Sequence, residues 1–389
     1  MSRNRRGSLP VAATAAAVQI PVGDLRQPAA DGDAVAAEGY EAGYRIGWRD
    51  GACEAVARCI GPRVAVRRGL RVIYVPQGFQ SIDDGIIHAL QEAVAELHVV
   101  EAKSMAERAL LIRPDFVLVL NGLHVFPDDH LTQVDTIRAA GIRTIIWFAD
   151  DPYVTADTVL VAPRYDTVLT HEMSTVPLYR EIGCADVHYL PLAVHPALFR
   201  PIRAGAQYRS DVCFIGQAFW NRVEMFDAIA AQLEGLKVFI AGGLWNRLTQ
   251  YDRLSRFIRH GWLPVEESVA YYNGARIVVN LHRTTEPGAD NKNTYRYPGL
   301  SINPRTYEIA ACGTLQLTDI RDDLTAYYRP GVELDTFRDA AELGAKIKFY
   351  LEHEEARRAM AIRGLARTLR DHTYSSRIEQ FMQTLQYGQ

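Results

Sequence analysis

Two adjacent carboxylates, Asp150 and Asp151, follow the apolar run "TIIWF" in "TIIWFADDPY". Side by side at the end of a strand, they could orient hydroxyl groups, or one of them could take a hydroxyl proton. An equally open reading makes Asp151 a cap for the segment after Pro152. A second group lies in "SINPRTYEIAACGTLQLTD" (301–319), where Asn303 and Pro304 open a helix and Gly313 closes it. Glu308, one turn into that helix, can accept both hydroxyls of a ribose, while Arg305 and the helix N-terminus can face a diphosphate. The competing role for Glu308 is compensation of the helix dipole, which needs no ligand. A third candidate is Arg222: after "DVCFIG", which ends on Gly216, the chain runs "QAFWNR" into the helix "VEMFDAIAAQL". A cation in a first helical turn, beside free backbone N–H groups, favours phosphate; an ordinary surface arginine is the alternative. The glycine turn "PQGFQS", with Gly78 at its centre, follows the first strand and borders the same region.

The remaining chemistry is sparse. Eleven histidines include no HExxH and no close ligand set, so the sequence supports no catalytic metal. His124, His171 and His282 each follow an expected strand, and a structural role satisfied by hydrogen bonds is the reading preferred for each. No GxSxG elbow, phosphate-binding Walker loop or paired Cys/His signature is present. Tyr295, Arg296, Tyr297 and Pro298 could stack a ligand or make a local loop contact.

The elements that must hold these residues alternate. "RVIYV", "FVLVL", "TIIWF", "TVLT" and "VHYLPL" read as strands of a parallel sheet, with helical stretches at 84–96 and 130–140. A second series follows with "DVCFIG", "LKVFIAGG", "RIVVNLH" and "TLQLTD". Beyond about 337 the pattern is helical to the end. The expected fold is therefore α/β, with two Rossmann-like domains facing a central cleft. The expected divisions are a flexible tail over 1–35, a helix over 36–62, an N-terminal domain over 69–195, a C-terminal domain over 208–350 and terminal helices over 351–389 packing back across the domains. Domains of this kind place loops and helix N-termini at the carboxyl ends of their strands, which suits a ligand carrying a diphosphate.

Length and charge agree with two domains: 389 residues exceed one ordinary core, and 43 basic against 46 acidic residues leave a net charge of −3. That balance offers no general attraction to nucleic acid or to an anionic membrane, and no run approaches the roughly 18 to 20 apolar residues of a membrane span. Cysteines at 53, 59, 184, 213 and 312 lack paired spacing and read as free thiols of a cytoplasmic protein. Arg3, Arg5, Arg6 and the alanine-rich run after Pro10 imitate a signal peptide poorly. In "EGYEAGYRIGWRDG" glycine recurs at 39, 43, 47 and 51, one face of a helix. Each glycine costs about 0.8 to 1 kcal/mol relative to alanine, a cost that close approach of another helix would offset. Packing on the chain's own domain is the preferred reading, and a homodimer through Gly39, Gly43, Gly47 and Gly51 is the alternative.

Five segments in order carry a resemblance: "WFADDPY" (147–153), "YDTVLTHEMSTVPLYREIGCADVHYLPLAVHPALFRP" (165–201), "DVCFIGQAFWNR" (211–222), "AYYNGARIVVNLHR" (270–283) and "NPRTYEIAACGTLQLTD" (303–319). Over about residues 70–385 the chain resembles the GT-B glycosyltransferases, specifically the CgeB-like spore-maturation branch related to glycosyltransferase families 1 and 4. The resemblance implies a nucleotide-sugar donor, usually linked to uridine diphosphate (UDP), held by the C-terminal domain, with no cofactor or metal. It implies retention at the anomeric carbon, domain closure, and a hydroxyl acceptor on a spore-surface or cell-surface protein or glycan. "GWLP" (261–264) then supplies backbone contacts to the nucleobase, through Trp262 and Leu263. Arg222 falls where relatives place a phosphate-binding basic residue, and Glu308 matches the second, ribose-binding glutamate of E-x7-E. The first glutamate is absent, since Leu300 holds its place; Glu286 becomes its displaced equivalent if 289–301 is an insertion. A nucleotide-sugar 2-epimerase and a non-catalytic nucleotide-sugar-binding scaffold share the architecture.

Overall fold

The computed structural model describes residues 30–61, 65–288 and 290–385. Residues 1–29 of the expected tail lie outside them. The chain divides into two compact units, 1–47 and 48–389. The described part of the first belongs to the helix Ala30–Ile60, where the exposed Tyr40 and Tyr44 rings stack 6.5 Å apart and Arg45 pairs with Glu41 at 3.1 Å.

The second unit contains two parallel sheets. β1 (Arg68–Val75), β2 (Val94–Val99), β3 (Phe116–Leu120), β4 (Arg143–Phe148), β5 (Thr167–Thr170) and β6 (Val187–Tyr189) lie in the order β2-β1-β3-β4-β5-β6. β7 (Ser210–Ile215), β8 (Val238–Gly242), β9 (Ile258–His260), β10 (Ala275–Asn280), β11 (Leu315–Asp319) and β12 (Asp335–Phe337) lie in the order β12-β11-β10-β7-β8-β9. The central strands are apolar on both faces because helices cover both, as in β3, where all five residues are buried. Three strands depart from the sequence reading. β2 occupies part of the stretch read as helical, which ends at Ala93, while β9 and β12 lie outside the expected strands. All three are sheet edges with exposed or half-exposed residues, so burial imposes little apolar pattern on them.

The last helices close the molecule. Helix Tyr374–Thr384 buries Ile378, Phe381 and Met382 in the core of the first sheet, with Val72, Tyr74 and Leu90. It meets helix Gln80–Ala93 at Gly85, where a Cβ would fall 2.2 Å from the Tyr374 ring. Arg68 donates to both carboxylate oxygens of Glu379, at 3.0 and 2.8 Å. The chain thus returns from the second domain to complete the first.

The second half of helix Ala30–Ile60 docks on the second domain. Arg49 donates to Asn273 Oδ1 and to the Cys312 carbonyl, both at 2.7 Å, and Cys53 is buried beside Gly313. Gly51, the stripe glycine that lies in this unit, does not make this contact: a Cβ built there would meet nothing within 4 Å. This corrects the expectation that Gly51 packs against the chain's own domain. Among the described residues no helix is long and apolar enough to cross a membrane.

Candidate functional site

Each sheet has one point where connections leave in opposite directions, between β1 and β3 in the first and between β7 and β10 in the second. Ligands of open parallel sheets bind outside the strands' carboxyl ends at such points. Here the two sets of loops enclose one cavity of about 640 Å³. Its floor in the second domain is built by close backbone approach. Gly242 has φ 139°, and a Cβ there would fall 2.0 Å from the carbonyl oxygen of Gly216, so only glycine allows β7 and β8 to end this close together.

Arg222 leaves the first turn of helix Trp220–Ile229 and is buried at the cavity wall. Its Nε donates to the Leu281 carbonyl and its Nη1 to the Gln217 carbonyl, both at 2.9 Å, which fixes the guanidinium without neutralising it. Burial, with Arg305 nearby, lowers its pKa to about 9, leaving a cation at neutral pH that Asp319 favours from a distance and that no carboxylate among the described residues pairs directly. Asn303 caps helix Pro304–Ala311, its side chain accepting from the Thr306 N–H. Asn280 on β10 holds that cap in place through reciprocal amide hydrogen bonds at 3.2 and 3.0 Å. Arg305 and Glu308 project from the same helix into the cavity, and Arg305 Nε is buried without a hydrogen-bond partner. Burial raises the Glu308 pKa, opposed by Arg305 and by a hydrogen bond from Ser81 across the cleft. Trp262 and Leu263 line the rim, the indole 83% exposed and the leucine buried.

His282 shows how the helix start is positioned. Its Nδ1 hydrogen-bonds Asp319 at 2.6 Å, and its Nε2 accepts the Asn303 N–H at 2.9 Å. Although burial alone would raise the Asp319 pKa, His282 and Arg321 hold that carboxyl well below its usual range. The ring is buried and neutral, and both nitrogens are used; its role is structural.

The first domain supplies the opposite wall. The Asn121 side chain donates to Asp150 at 2.8 Å and accepts the Ala149 N–H at 3.0 Å, aiming the carboxylate at the cavity. Burial raises the Asp150 pKa, with Asn121, His124 and Arg283 opposing. Asp151 points the other way. It is completely buried, away from the cavity lining, accepting hydrogen bonds from Thr170, Thr175 and Tyr179 hydroxyls at 2.7 to 3.1 Å. The sequence pairing of Asp150 with Asp151 in one site is therefore corrected to Asp150 alone. Gly78 lines the cavity in a turn held by Asp83, which accepts its N–H at 2.8 Å and the Tyr74 hydroxyl at 2.6 Å.

Sequence reading left several lining residues without a role in the site. His171 and Glu172 follow β5 directly, and that position was their only signal. Neither ring nitrogen of His171 makes a hydrogen bond of good geometry, although the Asp151 carbonyl lies close enough to favour its charged form slightly. Burial dominates and lowers its pKa to about 4, so the ring is a neutral, unsatisfied polar group at the cavity. Glu172, 1% exposed, accepts the N–H groups of Leu300 and Ser301 at 3.1 Å each. A carboxylate from the first domain thus reaches the segment where the first glutamate of E-x7-E is missing. Glu286 does not: its side chain is 82% exposed, 3.9 Å from Arg296 and outside the cavity, so the displaced-glutamate expectation is corrected.

The chain between β10 and helix Pro304–Ala311 crosses to the other domain. The Lys292 N–H donates to the Tyr153 carbonyl at 2.7 Å, the Ala156 N–H to the Lys292 carbonyl at 3.1 Å, and the Ser174 hydroxyl to the Pro298 carbonyl at 2.6 Å. Arg283 opens this segment, its guanidinium 4.8 Å from the Tyr153 ring centroid and 4.4 Å from that of Phe219. Among the described residues no group of three or more His, Cys, Asp or Glu could hold a metal ion.

Known proteins resemble this chain in sequence and in fold. Residues 222–383 match a family described as glycosyl transferase-like. Spore protein CgeB of Bacillus subtilis (strain 168) is 29% identical over 312 residues, 78% of this chain and 95% of that protein. The chain resembles CgeB over most of its length. Its fold is that of the GT-B glycosyltransferases. Anabaena Alr3699/HepE, solved in complex with UDP-glucose, superposes with a TM-score of 0.56 at 11% identity, over 82% of this chain and 100% of that one. A glycosyltransferase from Rickettsia africae ESF-5 gives 0.54 at 10% identity, over 82% and 99%. At such identity the structural likeness concerns the fold alone. In this CgeB-like chain the cavity lies between the two GT-B domains.

Proposed function

We propose that this chain is a cytoplasmic glycosyltransferase that moves a hexosyl or N-acetylhexosaminyl group from a UDP-sugar to a hydroxyl acceptor, with retention and without a metal. The observation that carries the reading is the convergence of Arg222, Arg305, the N-terminus of helix Pro304–Ala311 and Glu308 on a cavity whose opposite wall presents Asp150. Glu308 accepts the ribose hydroxyls, Trp262 and Leu263 border the base, and the cations with the helix N-terminus hold the diphosphate. In the transfer, the bond between the sugar's anomeric carbon and the β-phosphate oxygen breaks, leaving its electron pair on that oxygen. The acceptor oxygen bonds to the anomeric carbon, and its proton passes to Asp150. Electrostatic stabilisation of the leaving diphosphate is the main catalytic contribution. The relationship to CgeB favours an acceptor on a spore-surface or cell-surface protein or glycan. The open glycine face at Gly39, Gly43, Gly47 and Gly51 is assigned to homodimer assembly and has no role in the chemistry.

The test is mass-resolved turnover of a panel of nucleotide sugars, with and without chelator, alongside calorimetric binding. Chelator-insensitive release of UDP with sugar transferred or hydrolysed supports the proposal, and the anomeric configuration of the product decides retention. An isomerised nucleotide sugar without UDP release would instead mark a 2-epimerase, and binding without turnover a scaffold.

A further inference from the structure

The cavity contains one cation more than the intact donor needs. Arg222 and Arg283 both lie against the Phe219 ring, their guanidinium carbons 5.0 and 4.4 Å from its centroid, so they are less than 10 Å apart. Arg305 is close enough to lower the Arg222 pKa. Arg283 is held from both domains, between Tyr153 of the first and Phe219 of the second, with its Nε buried and without a hydrogen-bond partner. Among the described residues no carboxylate comes within 4.0 Å of it. The charges of Asp150, the reacting carboxylate of the proposed transfer, and of Asp290 both favour its charged form from beyond ion-pair distance. A half-buried guanidinium stacked on two rings, its Nε without a hydrogen-bond partner and no carboxylate within ion-pair distance, gains when an anion completes it.

We infer that Arg283 is a catalytic residue that binds the terminal phosphate of a nucleoside diphosphate at the oxygen released when the sugar departs. This rests on the donor reading above and goes beyond it by assigning the new charge to a specific side chain. In the intact donor each phosphate carries a single negative charge. Once the bond to the sugar breaks, the terminal phosphate has a second ionisation with pKa near 6 and gains about one more charge at neutral pH. Arg222 and Arg305 match the charge present before reaction, and Arg283 matches the charge that appears during it. An interaction stronger in the transition state than in the ground state raises kcat, whereas one equal in both affects binding alone.

The experiment compares wild type with Arg283→Gln, which removes the charge at similar volume, and Arg283→Lys, which keeps charge but not the two-ring stack. Calorimetry with UMP, UDP, UDP-glucose and UDP-glucuronic acid reads the phosphate served, and thermal melting verifies the fold of each variant. The expected result for Arg283→Gln is UDP affinity reduced about 10- to 100-fold with UMP affinity within about 2-fold of wild type. UDP-glucose affinity should change less than UDP affinity, and the kcat for whichever donor turns over should fall more than its KM rises. Arg283→Lys should recover part of the UDP affinity. Unchanged UDP affinity in a folded Arg283→Gln protein overturns this assignment while leaving the donor reading intact. A loss seen only with UDP-glucuronic acid would move the guanidinium to the sugar's substituents and also overturn it. Failure of the unaltered protein to bind UDP removes the donor reading and this assignment together.

Discussion

Asp150 and Asp151 differ by one residue and face opposite environments, so their substitutions should fail in opposite ways. Asp150→Asn is expected to lower kcat by about 10²- to 10⁴-fold with the melting temperature little changed, because among the described side chains Asn121 alone donates a hydrogen bond to the carboxylate. Asp151→Asn places an amide among hydroxyls that all donate to the carboxylate. It should cost roughly 1–3 kcal/mol of stability, readable as a lower urea midpoint. Successive residues leaving a strand point to opposite sides; the sequence shows the pair and leaves open which one reaches the cleft. His171 adds a pH dependence. Its folded pKa of about 4 lies below the ordinary value near 6.5, so between these values the unfolded chain binds a proton that the folded one refuses. Stability from this group is present above pH 6.5 and is lost as pH falls towards 4, by up to roughly 3 kcal/mol. His171→Gln should flatten that slope in urea titrations at pH 7 and pH 5, and an unchanged slope would show that ligandless His171 titrates normally.

The segment from β10 to helix Pro304–Ala311 positions both halves of the site at once. It begins at Arg283, bridges to the first domain through Tyr153, Ala156 and Ser174, and ends at the Asn303 cap. Glu172 anchors its last turn by accepting two backbone N–H groups while lining the cavity. Replacing Glu172 with Gln leaves one of those N–H groups facing a weaker acceptor or an amide donor. The expected outcome is a donor KM raised about 3- to 30-fold, with a stability loss of about 1–3 kcal/mol. Equal KM in variant and wild type would make Glu172 purely structural. This element also separates what sequence could show from what it could not. Central strands such as β3 and β4, buried along all or nearly all of their length, announce themselves as apolar runs, and Asn-Pro announces the start of helix Pro304–Ala311. Edge strands β2, β9 and β12 bury too little to leave a pattern. Glu172 and Leu300 meet across 128 positions of sequence, a pairing that exists only after both domains have folded, so a single chain read locally pointed to Glu286 instead.

At the scale of the molecule, helix Ala30–Ile60 belongs to both compact units, and the boundary after Gly47 separates two kinds of residue. Beyond it, Arg49 donates to Asn273 and to the Cys312 carbonyl, and Cys53 is buried. Before it, Tyr40 is 73% and Tyr44 55% exposed, and Gly39, Gly43 and Gly47 have open space where a side chain would stand. Three glycines in a helix cost about 2 to 3 kcal/mol together, and a second copy of the same face, approaching closely, would offset that cost. Two truncations separate assembly from folding. Removing residues 1–47 spares Arg49 and Cys53, so turnover and melting temperature should persist while light scattering shows loss of the dimer. Removing 1–60 also strips the anchors from Asn273 and Cys312, and the melting temperature should fall along with the dimer. Gly43→Leu in the full chain refines the first result, since a bulky side chain blocks close approach without removing the helix. If the unaltered protein is a monomer at micromolar concentration, the glycine face serves something other than self-association. If truncation of 1–47 lowers the melting temperature as far as truncation of 1–60, the stripe contributes to the fold itself.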